Sequence, residues 1–263
     1  MNVQTASRPE VTAPFAWRQA GAVAWLEVAL GSATAAFSTR LGGASEGPYR
    51  CLVLGILTGD DRGRVLANRR ALATVLGRDA SSIAIGRQVH GTDVQVRDAA
   101  PAVDIPLLEA DAQVTSSPSL TPLVLVADCV PLVLAGPGTV AAVHCGWRGV
   151  AAGIVERAVA IAGEDAREDV KAALGPGIGP CCYEVGDEVR ETFRGRGHHE
   201  DVVPDGRLDL ALAIRRELER LGVDSQRIHA CRLCTSCHAE LFFSHRRDGG
   251  VTGRQAGLVW LGS

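Results

Sequence analysis

Residues Val126 to Gly149 read VADCVPLVLAGPGTVAAVHCGWRG. Nearly every position is apolar or glycine. Two strand-sized runs, Leu132–Ala135 and Val140–Val143, flank Gly-Pro-Gly, a short turn signal. The stretch therefore reads as a buried hairpin. Asp128-Cys129 stands at one end of it and His144-Cys145 at the other, so a short closure brings Cys129 and His144 to the same end of adjacent strands. The register is not readable, because Val130-Pro131 is expected to break the ladder.

Outward from the hairpin, similar runs recur at Ala22–Val28, Ala33–Ser38, Ile83–Ile85, Leu123–Val126 and Gly257–Leu261. Helical periodicity covers Asp61–Leu76, Val150–Ala162 and Leu208–Leu221, with Asp209 placed to cap the last. Strands and helices mix without a clean βαβ alternation, and neither GxGxxG nor GxxxxGK[ST] occurs. The predicted fold is α/β (α+β): one layered domain over residues 1–263, a mixed β-sheet with flanking helices, not a Rossmann domain.

A chain of 263 residues with 46% hydrophobic content is long enough for one large core. Its net charge of −3 gives no electrostatic case for nucleic acid or an anionic membrane. No apolar run approaches the roughly 20 residues of a bilayer span. The N-terminal MNVQTASRPEVTAPFAW lacks the pattern of a secretory signal. The expected location is the cytoplasm, where eight cysteines point to metal binding or catalysis before disulfides.

A third ligand-type residue, His90, lies in GRQVHGTDV after the strand-like Ile83–Ile85. His90, Cys129 and His144 would make a three-ligand set of two imidazoles and a thiolate. Structural zinc sites close with four protein ligands, whereas catalytic ones keep a position open for water, whose pKa falls to about 7. GPGIGPCCYEVG, Gly175 to Gly186, fixes an unusual backbone, and FFSHRRDGGVTGRQ, Phe242 to Gln255, suits an anion or a planar ring. In CRLCTSCH, Cys234 and Cys237 form half a zinc knuckle. Cys181 and Cys182 would complete a set, but reduced, packed thiols are the favoured reading. His198 and His199 read as an exposed polar loop. Arg40, which follows a strand and precedes two glycines, and Arg148, just after Gly-Trp, are placed either to hold a carboxylate or phosphate or to serve as structural ion-pair partners.

Taken in order, FSTRLGG, QVHG, ADCVP, HCGWRG, GPGIGPCCYEVG and FFSHRRDGGVTGRQ closely resemble one family. It is known as multicopper polyphenol oxidase or laccase-like, as purine nucleoside phosphorylase, and as peptidoglycan editing factor. The resemblance runs from about Ala22 to Leu261 and leaves residues 1–21 as an N-terminal extension. It implies a zinc enzyme for phosphorolysis of adenosine, inosine, guanosine and methylthioadenosine, and for deamination of adenosine. Its metal and catalytic residues fall on His90, Cys129 and His144. Asp128 is the candidate acid/base, with Glu184 behind it. Arg40, Gln88, Arg148 and Arg247 are the candidate substrate-binding residues, with a small nucleoside and phosphate as partners. Two departures stand out: CLVLG has Val53 where Asn is usual, and Gly177 replaces a common Cys.

Three other functions compete with this one. One is a zinc amidase removing a misincorporated amino acid from a muramoyl cell-wall precursor. Another is copper-dependent phenol oxidation, for which seven histidines are too few. The last is a zinc-stabilised interaction domain without catalysis.

Overall fold

The computed structural model describes residues 7–99, 108–163, 166–198 and 200–262. Two six-stranded mixed sheets carry the fold. The first takes β1 (Ala16–Ala20), β2 (Val23–Leu30), β3 (Ala33–Ser38), β12 (Gln255–Leu261), β7 (Thr121–Val126) and β4 (Ile83–Ala84), in that spatial order. The second takes β11 (Ile228–Ala230), β10 (Lys171–Leu174), β8 (Val130–Gly136), β9 (Thr139–Cys145), β6 (Ala112–Thr115) and β5 (Val94–Val96). Pairing is antiparallel except for β4 with β7, β5 with β6 and β10 with β11.

The hairpin lies inside the second sheet. Val130, Leu132, Leu134, Ala141 and Val143 pack outward on helices, and Val133, Ala135, Val140 and Ala142 pack on the first sheet. Period-two alternation with both faces covered explains the continuous apolar run. Gly136 pairs with Thr139, so Pro137-Gly138 alone closes the turn, with Gly138 at φ 72°. The expected break at Val130-Pro131 does not occur, since Val130 pairs with Cys145 and Pro131 with His144. On the β10 side Pro131 O still accepts Gly175 N–H at 2.9 Å, so the proline forfeits only the return bond at the end of that ladder.

Helices cover both outer faces. α3 (Ile154–Gly163), α4 (Asp187–Gly195) and α5 (Leu210–Arg220) bury Ile154, Ala158, Phe193, Ile214 and Leu218 against the second sheet. α1 (Arg62–Val75) lays Leu72 and Ala73 on the first sheet beside Trp25, Leu123 and Leu258. Asp61 and Asp209 cap α1 and α5 by accepting Arg64 N–H and Leu212 N–H. The helix expected over Val150–Ala162 is two: α2 (Trp147–Ala152) ends at Gly153, φ 100°, and α3 starts afresh. Residues 16–20, counted above in the extension, form the edge strand β1. Among the described residues no helix is long and apolar enough to cross a membrane.

Candidate functional site

The ladder places Cys129 one residue before β8 and His144 on the neighbouring β9, paired with Pro131. His144 shares the parity of Val140 and Ala142 and so leaves the sheet on the face toward the first sheet. His90 arrives from the segment after β4. Gln88 anchors that segment: its amide donates to Leu125 O at 2.7 Å and accepts Leu125 N–H at 2.8 Å, like one more strand residue beside β7.

A residue the sequence reading passed over completes the arrangement. Asp111, fully buried just before β6, accepts backbone N–H bonds from Val89, His90 and Gly91 at 2.8–3.1 Å. Its Oδ1 also lies 2.7 Å from His144 Nδ1. One carboxylate thus shapes the His90 turn, where His90 holds φ 61°, and orients the His144 ring so that Nε2 is its free nitrogen.

One ligand atom from each of His90, Cys129 and His144 lies within 4.8 Å of the others, with Cys129 Sγ 3.8 Å from His90 Nε2. Gly146 has no side chain for a local reason. A Cβ there would stand 2.6 Å from His90 Cδ2 and 3.2 Å from Cys129 Sγ. Burial pushes the Cys129 thiol up, but the His144 charge and hydrogen bonds from both histidines outweigh it and bring the pKa to about 6. Burial lowers His144, yet the Cys129 thiolate and Asp111 raise it to about 9. Burial also opposes the Asp111 charge, but the His144 bond and charge and the backbone N–H bonds hold its pKa below the usual carboxylate value. Two imidazole nitrogens and a thiolate, one ring oriented by a buried carboxylate, are a donor set that fits a zinc-type ion.

The three residues open on a cavity of about 490 Å³. Ile56, Ile85, Leu125 and Trp147 supply apolar wall, while Arg69, Arg148, Arg246 and Arg254 bring cations to it. Arg148 stacks on Trp147 at 4.4 Å and makes no ion pair among the described residues. Arg69 Nη2 is buried with no hydrogen-bond partner among them. Tyr183, under Arg246 at 5.2 Å, also lines the cavity. Burial, with the Cys129 charge second, pushes its phenol up to about 12, so it stays a protonated donor.

Other expected residues stand elsewhere or do other work. Arg40 and Arg247, expected to hold phosphate, do not line this cavity. Arg40 donates to Arg50 O and Ala239 O and lies over Phe243, and Arg247 donates to Thr235 O and Phe242 O and pairs with Asp248. An arginine two residues ahead of a glycine pair marks a loop in sequence, but here the loop carbonyls take the guanidinium. Asp128, φ 85°, accepts the Thr235 hydroxyl at 2.6 Å and Arg246 N–H at 2.7 Å, while its own carbonyl accepts Ile178 N–H. It braces three loops around Cys129.

Val53 is fully buried and does not itself line the cavity, but it packs in one cluster with Val65, Phe243 and the cavity-lining Ala127, so its departure acts on the packing behind the cavity wall. At Gly177 a Cβ would stand 2.7 Å from Val130 Cγ2, so this backbone has no room for the family's side chain. His198, expected to be exposed, has a side chain only 6% accessible, bonded to Glu217 and packed on Phe193. His199 lies outside the described residues.

A sequence profile described as multi-copper polyphenol oxidoreductase laccase matches residues 34–262. The chain is 37% identical over 249 residues to the purine nucleoside phosphorylase YlmD of Geobacillus stearothermophilus, covering 86% of this chain and 89% of that one. It is 42% identical over 233 residues to the purine nucleoside phosphorylase SCO2081 of Streptomyces coelicolor, covering 86% and 94%. The crystal structure of YlmD from Geobacillus stearothermophilus superposes with a TM-score of 0.87 at 35% identity, covering 95% of this chain and all of that one. The YfiH protein of Bacillus licheniformis superposes equally, at 33% identity. With a profile match over nearly its whole length and relatives of this closeness, the chain belongs to the multi-copper polyphenol oxidoreductase laccase family, the group of the YlmD and YfiH proteins.

Proposed function

We propose that the chain is a zinc-dependent purine nucleoside enzyme. It cleaves adenosine, inosine, guanosine and methylthioadenosine by phosphorolysis, and it deaminates adenosine. One observation carries the reading: the cavity that holds His90, Cys129 and His144 also holds an arginine free of any described ion pair, Arg148, and an unpartnered guanidinium nitrogen of Arg69. A site that brings cations to an apolar wall suits a phosphate beside a purine. The names of the relatives support the same substrate class.

In phosphorolysis a phosphate oxygen bonds to the sugar carbon as the carbon–nitrogen bond to the purine breaks, through an oxocarbenium-like transition state. Arg148 and Arg69, with Arg246 and Arg254 behind them, hold the phosphate and neutralise it. Ile85, Leu125 and Trp147 hold the base. Tyr183 donates a hydrogen bond to the departing purine, a role its raised pKa preserves at neutral pH. Asp128 keeps the Cys129 loop in place through Thr235 and Arg246 and is not assigned proton transfer. When bound at His90, Cys129 and His144, zinc supplies Lewis-acid polarisation of a substrate oxygen. Two imidazoles and one thiol do not suffice for a multi-copper relay, which argues against phenol oxidation at this site.

The test is adenosine turnover with and without phosphate, by the zinc-loaded protein and by Cys129→Ala, separating adenine, inosine and hypoxanthine by chromatography. Phosphate-dependent adenine and phosphate-independent inosine, both lost in the variant, are expected. No turnover by the zinc-loaded chain would refute the reading and make the muramoyl amide the next substrate.

A further inference from the structure

Four cysteines outside this site converge with no part in the chemistry above. Cys181 and Cys182 lie in the glycine-rich loop after β10, and Cys234 and Cys237 in the loop after β11. β10 and β11 are parallel neighbours, so both loops leave the same end of the sheet. They stay together beyond it: Gly177 bridges Cys234, and Thr235 N–H donates to Gly177 O at 3.0 Å.

The four sulfurs lie within 4.8 Å of one another, with Cys237 Sγ 3.5 Å from both Cys181 Sγ and Cys182 Sγ. A tetrahedron of thiolates around zinc, with bonds of about 2.3 Å, has sulfur–sulfur edges of about 3.8 Å. A disulfide needs about 2.05 Å, and all four thiols are free. The spacing is that of ligands around a common centre. Gly179 N–H points at Cys234 Sγ from 3.3 Å, the backbone bond that a thiolate accepts.

We propose that Cys181, Cys182, Cys234 and Cys237 bind a second zinc ion in a closed tetrathiolate site. Binding replaces thiol protons with the ion and transfers no electrons. Four protein ligands leave no open position, which makes the site structural, in contrast to the three-residue set at the cavity. An all-sulfur donor set selects a soft or borderline ion over magnesium or calcium.

The site sits where it would order the cavity. Cys182 precedes Tyr183, and Cys234 precedes Thr235, whose hydroxyl binds Asp128 beside Cys129. One ion would staple two loops joined otherwise by main-chain bonds, and fix the phenol and the brace of the first site together. The spacing also separates this centre from the half-knuckle seen in sequence: the second pair of ligands comes from the adjacent Cys181 and Cys182, not from another CxxC.

The experiment uses the full chain, purified under reducing conditions with zinc and then freed of loose metal. Elemental analysis is expected to give two zinc ions per chain, one in Cys129→Ala and one in Cys181→Ser/Cys237→Ser. Cobalt loaded into Cys129→Ala should give the strong visible bands of a tetrahedral tetrathiolate. A wild-type readout guards against misfolded variants. Cys181 and Cys237 are both exposed, yet should resist alkylation until a strong chelator is added. No zinc retained by Cys129→Ala, free alkylation of Cys181 and Cys237 in the zinc-loaded chain, or a disulfide-linked peptide joining the two loops would each overturn the proposal.

Discussion

Cys129 and His144 form a pair in which each partner makes the other's charge affordable. Cys129 is brought from 9.0 down to about 6, and His144 from 6.5 up to about 9. The signs oppose. A depressed thiol adds stability that is lost as pH falls through about 6, and a raised histidine adds stability that is lost as pH rises through about 9. Between about 6.5 and 9 the unfolded chain keeps the proton on sulfur and the folded chain keeps it on nitrogen. Proton counts match, so this pair leaves stability level across that window, and a denaturation curve will not reveal it. Thiolate absorbance will. In metal-free protein, with Cys129→Ala subtracted, the ultraviolet thiolate band should titrate near 6, and a midpoint near 9 would mean that the pair is not formed. Asp111 governs the same pair from behind. Asp111→Asn keeps the shape but removes the charge that orients His144, and it turns an N–H₂ toward the donors at Val89, His90 or Gly91. Zinc affinity at the cavity site should fall roughly 10–100-fold by competition with a chromophoric chelator. An unchanged affinity would assign Asp111 to folding alone.

The legible elements were those whose periodicity and punctuation agree. Seven apolar runs became β2, β3, β4, β7, β8, β9 and β12, and Leu208–Leu221 became α5 behind the Asp209 cap. Removing that cap tests how much the helix end relies on it. Asp209→Ala leaves Leu212 N–H without its 2.9 Å acceptor and should cost about 1 kcal/mol by urea denaturation with an unchanged m-value. The elements that escaped are short or only partly apolar. β5 and β11 have three residues each, and β6, AQVT, hides its alternation behind Gln113. The same limit concealed Asp111, which stands beside Ala110 in LEADAQVT without glycine or proline to mark it, while its partner His144 is far along the chain. His90, Cys129 and His144 stood out in sequence because each is a ligand-type residue near a Gly, Pro or Asp that could terminate a strand. For Arg40 and Arg247 the surroundings named a loop but not the carbonyls that the loop would offer. Long-range hydrogen bonding, unlike periodicity, has no local signature.

At the scale of the molecule, the second sheet is shared by two interiors. One face of β8 and β9 gives Leu132, Leu134, Ala141 and Val143 to the helical side, and the other gives Val133, Ala135, Val140 and Ala142 to the first sheet. Neither sheet separates from the other without exposing that second set together with Leu26, Val28, Phe37 and Phe242. Full burial of each large side chain in such a set contributes about 1.5–3 kcal/mol, so half-open states lie well above the folded one. The cavity tightens the link, since Leu125 of the first sheet holds Gln88, whose neighbour His90 stands opposite His144 of the second. We therefore expect the chain to unfold as one domain. Scanning calorimetry should give a single transition whose calorimetric and van't Hoff enthalpies agree, at the same midpoint seen by tryptophan fluorescence. Excess zinc should move that one transition upward, because an ion that binds only the folded state stabilises it in proportion to RT ln(1 + [L]/Kd). Two resolved transitions, only one of them shifted by zinc, would instead divide the two sheets into separate units and detach the metal site from half of the fold.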